Sequence, residues 1–316
     1  MTGGTAVRPR RTEAEAQDLL EIRRLIASHK RWDAVLGVVG VIALMIGVLT
    51  FVALFVDMAI KGVPRLDWDF FTSFPSRRAG QAGILSAWVG STLVMLVTAF
   101  VAVPLGVAAG VYLEEYARKN WLTDLIEINI TNLAGVPSIV YGLLALGLFV
   151  YAFGFGQSIL SAGLTLGLLI LPIVIVATRE AIRGIPQSVR EGSYALGATQ
   201  WQTVRDHILP YSSAGILTGI IIGMARAIGE TAPIITIGAL TFIAFLPPSP
   251  LEGNPFAWLF SPFTVMPIQM FNWTSRPEAT FQVNAAAAGF VLVLMTLAMN
   301  GLAIWLRYRL RKNIKW

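Results

Sequence analysis

The sequence predicts an all-α, polytopic membrane protein of six transmembrane helices, and three observations carry that expectation. Of 316 residues, 55% are hydrophobic and 13% charged, with mean hydropathy +0.68, a balance that places the chain among integral membrane proteins. Six apolar runs reach the ~20 helical residues needed to cross about 30 Å of hydrocarbon. The Lys and Arg residues, finally, are divided very unequally between alternate loops.

Residues 1–33 are a polar tail. Thr12 followed by Glu15 fits a capping box, and Leu19, Ile22 and Ile26 recur at helical spacing. Residues 13–31 are therefore expected to form an amphipathic helix on the cytoplasmic membrane surface, with Arg23, Arg24, Lys30 and Arg31 toward the lipid headgroups. A solvated, partly disordered tail is the alternative. The tail lacks a short apolar core with a cleavage site, so the first span, 34–56, is expected to serve as an uncleaved signal anchor.

The remaining spans are expected at 84–111, 133–153, 160–178, 214–240 and 284–306. Pro137, Pro172 and Pro233 each fall inside one of them, where a proline removes a backbone hydrogen bond and bends the axis. Pro137 and Pro233 are candidate hinges, and Pro172 is read as a static kink. Two outer loops, 61–82 and 246–283, are rich in Pro, Trp and Phe. They fit irregular segments at the outer interface, either docking an extracytoplasmic partner or serving as aromatic belts and connectors.

Six spans put both termini on one side. That side carries 18 of the 24 basic residues, the other side five, and Arg226 alone lies within a span. By the positive-inside rule both termini are cytoplasmic, and the formal charge of +6 encodes topology rather than nucleic-acid binding.

Composition also restricts the chemistry. With no cysteine and only two histidines, His29 and His207, disulfides, thiolate metal sites and cysteine nucleophiles are excluded, and little remains for metal or general-base work. The chain is expected to be a non-catalytic subunit with no bound cofactor. No phosphate-binding Walker A pattern occurs, so any ATP would be bound by another chain.

Arg226 and Glu230 stand four residues apart in the glycine-rich segment 215–238. Charge at mid-membrane usually marks a substrate path, a proton relay or a counter-charge. Gly215, Gly219, Gly223 and Ala227 recur every four residues beside it, a ridge of small side chains that admits another helix closely, as in a pore-lining helix packed on a pseudo-equivalent one. Arg226 offers a planar, permanently charged fork suited to phosphate-like oxyanions, which Glu230 could orient. Mutual neutralisation of the two at i, i+4 spacing is the alternative.

The longest cytoplasmic loop, 184–210, carries Arg190-Glu191-Gly192-Ser193-Tyr194-Ala195-Leu196-Gly197 and, nine residues on, His207-Ile208-Leu209-Pro210. Physically this reads as a short helix, a glycine turn at Gly197 and a second helical stretch ended by Pro210. It resembles the EAA motif of ABC importer permeases, departing from it at Gly192, Ser193 and His207. Further stretches, PLGVAAGVYLEEY from Pro104, GVPSIVYGLLAL from Gly135, LPIVIVATREAI from Leu171 and ARAIGETAP from Ala225, are similar to permease subunits of the phosphate ABC importer, more the PstA type than the PstC type. The resemblance covers residue 34 to the end.

That resemblance implies the type I importer (MetI-like) fold in the inner membrane of a prokaryote. It implies a PstC-type second permease, a PstB-type ATPase dimer using ATP and Mg below, and a periplasmic or lipid-anchored PstS-type phosphate-binding protein above. It assigns Arg226 and Glu230 to the substrate pathway, and Glu191, Ala195, Leu196 and Gly197 to the element that docks on the ATPase. A permease for sulfate or molybdate, a membrane sensor or scaffold, and a proton-coupled transporter using Glu230 remain the competing readings.

Overall fold

The computed structural model describes residues 13–249 and 254–311, and every regular element among them is helical. The chain divides into two compact units, Met1–Asp57 and Met58–Trp316.

In the first unit the described residues belong to α1, Glu13–Gly62, which runs unbroken from the polar tail into the first apolar stretch. No Gly or Pro occurs between residues 13 and 36 to interrupt it. The stretch expected as a separate surface helix is thus continuous with the first span. Thr12 and the side chains of 13–29 lie outside the described residues, and with them the expected capping box and amphipathic face.

The second unit continues with α2 (Trp68–Thr72), α3 (Leu85–Val111), α4 (Trp121–Leu133), α5 (Ser138–Ala145), α6 (Ile159–Arg183), α7 (Gln187–Ala195), α8 (Gln200–Thr203), α9 (Leu209–Gly229), α10 (Ala232–Ile237), α11 (Met266–Thr274) and α12 (Ala279–Arg311). Wider π-helical turns at Tyr112–Tyr116, Leu146–Ala152 and Val204–Ile208 extend α3, extend α5 and join α8 to α9. Among the described residues five helices are long and apolar enough to cross a membrane, and α4 with α5 makes a sixth if counted together.

Two expected spans are not continuous helices. The third is bent by 106° between Leu133 and Ser138, and the fifth stops at Gly229 and resumes as α10. The cause is the same in both. A proline cannot donate to the carbonyl four residues back, and its ring clashes with that carbonyl. The residues four before Pro137 and Pro233 are Leu133 and Gly229, the last residues of α4 and α9. Pro137 caps α5 and Pro233 sits in the first turn of α10, so neither is the mid-helix kink expected. Pro172 lies inside an unbroken α6. Pro210 does not end a helix: it sits in the first turn of α9, after the π-helical turn.

The core is built where α3, α6 and α9 meet, with Val94, Ala102, Leu166, Ile170 and Ala227 buried together. In lipid such packing is driven by close contact rather than by escape from water, which favours small residues at crossings. A methyl on Gly106 of α3 would lie 2.7 Å from Val174 Cγ1 of α6, and one on Gly110 2.6 Å from Thr178 Cβ. Buried Thr98 donates to the Val94 carbonyl on its own helix and lies 3.2 Å from the Gly163 carbonyl of α6.

Parts of the loops 61–82 and 246–283 fold into a second cluster. Phe70, Trp273 and Phe281 are fully buried with Ile84 and Met266. Arg65 staples this layer, bonding Asn284 Oδ1 at 3.2 Å, Asp67 at 2.9 Å and the Gly80 and Ala82 carbonyls at 3.1 Å. Trp68, Phe256, Phe260 and Phe271 stay exposed.

Candidate functional site

Arg226 occupies the last turn of α9, and Glu230 is the first residue past its end, in extended conformation at φ −75°, ψ 126°. The pair expected on a continuous helix face therefore straddles a helix end, and is still made: Arg226 Nε lies 3.2 Å from Glu230 Oε1. The Arg226 side chain is 38% exposed and that of Glu230 18%. Among the described residues the guanidinium hydrogen-bonds through Nε only, and Arg226, Ile222 and Gly229 are exposed. Glu230 also borders a void of about 10 Å³ with Ser91, Met95 and Leu166, room for about one water. An oriented, half-exposed guanidinium with an open fork suits the oxygens of a tetrahedral anion.

The two helix breaks are packed together. A methyl on Gly142 of α5 would fall 2.6 Å from Pro233 Cα, so α5 and α10 touch at backbone distance, with Thr236 in the same contact. The Tyr141 hydroxyl donates to the Leu133 carbonyl at 2.8 Å, satisfying one acceptor freed where α4 ends. The surface around Arg226 thus combines a charged pair with two interrupted helices, an arrangement found at midplane sites of transporters.

The glycine ridge faces the other way. A methyl on Gly215 would meet Ala181 Cβ at 2.6 Å, Gly219 abuts Ala177, and Gly223 lies against Ile170. Ala227 is buried in the same core. The ridge expected to receive a pseudo-equivalent helix is occupied by α6 of this chain, while Arg226 projects from another face.

In the loop 184–210, α7 ends at Ala195 and turns through Gly197 at φ +84°, a left-handed conformation that glycine adopts without strain. Ser193, a departure from the motif's alanine, is buried and its hydroxyl is 2.8 Å from that of Thr203, tying α7 to α8. Leu196 is 91% exposed, with Tyr194 and Trp201 exposed beside it. Glu191 and Ala195 are exposed too, and Glu191 makes no ion pair among the described residues. An uncommitted carboxylate beside uncovered apolar groups is a surface suited to another protein.

Sequence reasoning missed one cluster. Glu114 and Glu115, beside Arg118 and Lys119, and Asp124 with Glu127 read in the sequence as a solvated or interfacial ion-pair face; Glu114, Glu115 and Glu127 do form ion pairs, and the partners the sequence does not name lie on other helices. Glu114 lies 2.9 Å from Arg183, Glu127 contacts Arg179, and Glu115 lies 2.6 Å from Arg190. The available signal is Arg179 and Arg183 at i, i+4, which share one face at the end of α6.

Residues 102–316 match the family described as binding-protein-dependent transport system inner membrane component. The chain is 32% identical over 286 residues to the probable ABC transporter permease protein YqgI of Bacillus subtilis, covering 88% of this chain and 95% of that one. It is 31% identical over 288 residues to the phosphate transport system permease protein PstA of Xylella fastidiosa, covering 90% and 93%. Among solved structures it is similar to a chain of the MetNI methionine ABC transporter in an inward-facing conformation, at TM-score 0.53 and 16% identity, over 70% of this chain and 93% of that one.

Proposed function

We propose that this chain, which belongs to the family of binding-protein-dependent transport system inner membrane components, is the PstA-type permease subunit of an ABC importer that moves inorganic phosphate into the cytoplasm. It is a multi-pass membrane protein. A PstC-type second permease completes the pathway against the Arg226 face, and a PstB-type ATPase dimer docks on Glu191, Ala195, Leu196 and Gly197. A PstS-type binding protein delivers phosphate from the outer side. ATP and Mg are handled by the ATPase chains.

The observation that carries this reading is the partly exposed guanidinium of Arg226 at the end of α9, bonded to Glu230 through Nε alone among the described residues. Phosphate as the anion is supported by similarity to phosphate transport permeases over most of the chain. ATP-driven movement of the docked loop would bias the permease between inward-open and outward-open states.

Radiolabelled phosphate uptake by the assembled complex, with sulfate as control, tests the proposal. Arg226→Gln is expected to lower ATP-dependent phosphate uptake about tenfold or more with assembly intact, the scale of one charged hydrogen bond. Unchanged uptake would reduce Arg226 and Glu230 to a structural ion pair. Uptake of sulfate in place of phosphate would assign the chain to another oxyanion.

A further inference from the structure

We propose that Glu115 and Arg190 form a rigid strut that carries movement of α7 into transmembrane helix α3, a step resting on the ATPase-docking role given above to the loop. Arg190 Nη2 and Nε lie 2.6 and 3.0 Å from Glu115 Oε1. The side chains are 13% and 5% exposed, so solvent scarcely screens the pair. The same guanidinium donates to the carbonyls of Ile185 at 3.0 Å and Ile182 at 3.3 Å, at the end of α6. One side chain of the docking helix therefore grips the ends of two membrane helices. On the other side of the contact, Gln200 of α8 donates to the Glu115 backbone carbonyl.

The geometry separates this strut from mere cohesion. An apolar cluster of Val111, Ile182, Ile185, Val204 and Ile208 already joins these elements. Apolar contacts are non-directional and tolerate sliding. A buried ion pair adds little net stability over an apolar substitute, but its geometry fixes register. Glu115 sits on the π-helical turn that ends α3, and its neighbour Glu114 turns instead to α6, 2.9 Å from Arg183 and 3.5 Å from Arg179. Consecutive carboxylates on one turn thus bind the docking helix and α6 separately, and displacement of α7 reaches both through the end of α3.

The test compares phosphate uptake with ATP hydrolysis in the complete complex reconstituted in vesicles, with subunit assembly followed by co-purification. Glu115→Gln, which keeps volume and the backbone bond to Gln200, is expected to retain ATP hydrolysis while phosphate moved per ATP falls about tenfold, the scale of a lost charge-assisted bond. Reversing the pair, Glu115→Arg with Arg190→Glu, is expected to recover part of that ratio. A wild-type ratio in Glu115→Gln would overturn the strut. So would uptake and hydrolysis falling together with loss of assembly, in the single variant and the reversed pair alike, since that is the signature of a structural pair. The ratio can be measured with any anion that stimulates hydrolysis. If sulfate rather than phosphate stimulates wild type, the substrate reading fails and the strut is still judged.

Discussion

The two charged regions of this molecule solve opposite problems with the same chemistry. At the end of α9, Arg226 meets Glu230 from four residues away, through one nitrogen, and makes no other hydrogen bond among the described residues. Beside α7, Arg190 meets Glu115 from 75 residues away, spends all three nitrogens on carboxylate and carbonyls, and is nearly enclosed. The first guanidinium has two nitrogens left for a ligand; the second has no nitrogen without a partner. That difference separates a group placed to bind something from one placed to hold something.

The contrast is sharpened most by one substitution made in both places. Arg190→Ala leaves the Glu115 carboxylate buried without its partner, which costs about 3–5 kcal/mol. Arg226→Ala removes half of a partly exposed pair, and its stability effect is expected to stay at or below about 1 kcal/mol. Thermal unfolding of the purified complex in one detergent compares them directly, and equal losses would erase the distinction. In transport the ranking reverses in kind: Arg226 variants lose anion uptake with the fold intact.

Next in size is the glycine ridge, which separates packing from binding on α9. Gly219→Val would drive two methyl groups into Ala177 on α6, where even the first has no room. The expected cost is about 1–3 kcal/mol, the usual range for overpacking, read as a lowered unfolding temperature. Gly229→Ala, on the exposed side near Arg226 with open space around its Cβ position, is expected to unfold like wild type. If both behaved alike, the two faces of α9 would not be divided as described.

What could be read from the sequence follows the same division between local and distant. Among the described residues each helix long and apolar enough to cross a membrane, and the bent pair α4–α5, overlaps an expected span, because a segment in lipid must satisfy its own backbone. Four prolines fall in apolar runs, yet only Pro137 and Pro233 end helices, whereas α3 and α6 run through Pro104 and Pro172. What differs in sequence is a glycine within four residues before the proline, Gly135 and Gly229, a poor helix former at the point where each helix stops. FVAVP and LLILP, ahead of Pro104 and Pro172, have none. Arg226 and Glu230 were found because their pairing is local. Glu115 and Arg190 were not, because their partnership exists only once α3, α6 and α7 have been brought together. Which loop aromatics are buried was not legible for a related reason: Phe70, Trp273 and Phe281 share one buried cluster across 211 residues of chain.

A smaller effect is expected at Tyr141, which bridges the break between α4 and α5. Tyr141→Phe keeps the ring and removes the bond to the Leu133 carbonyl. Hydrogen bonds between membrane helices average only about 0.6 kcal/mol, so global stability should barely move. The local consequence differs, because the Leu133 carbonyl, at a helix end, then keeps only the Val136 N–H at 3.2 Å. Hydrogen exchange of the amides of Ala134, Gly135, Val136 and Ser138 is therefore expected to speed up in Tyr141→Phe while the amides of α6 keep their wild-type rates. Unchanged exchange at the break would mean that the tight contact of Gly142 with Pro233 alone fixes the bend, and that the region around Arg226 is held by packing, as the junction of α3 and α7 is held by charge.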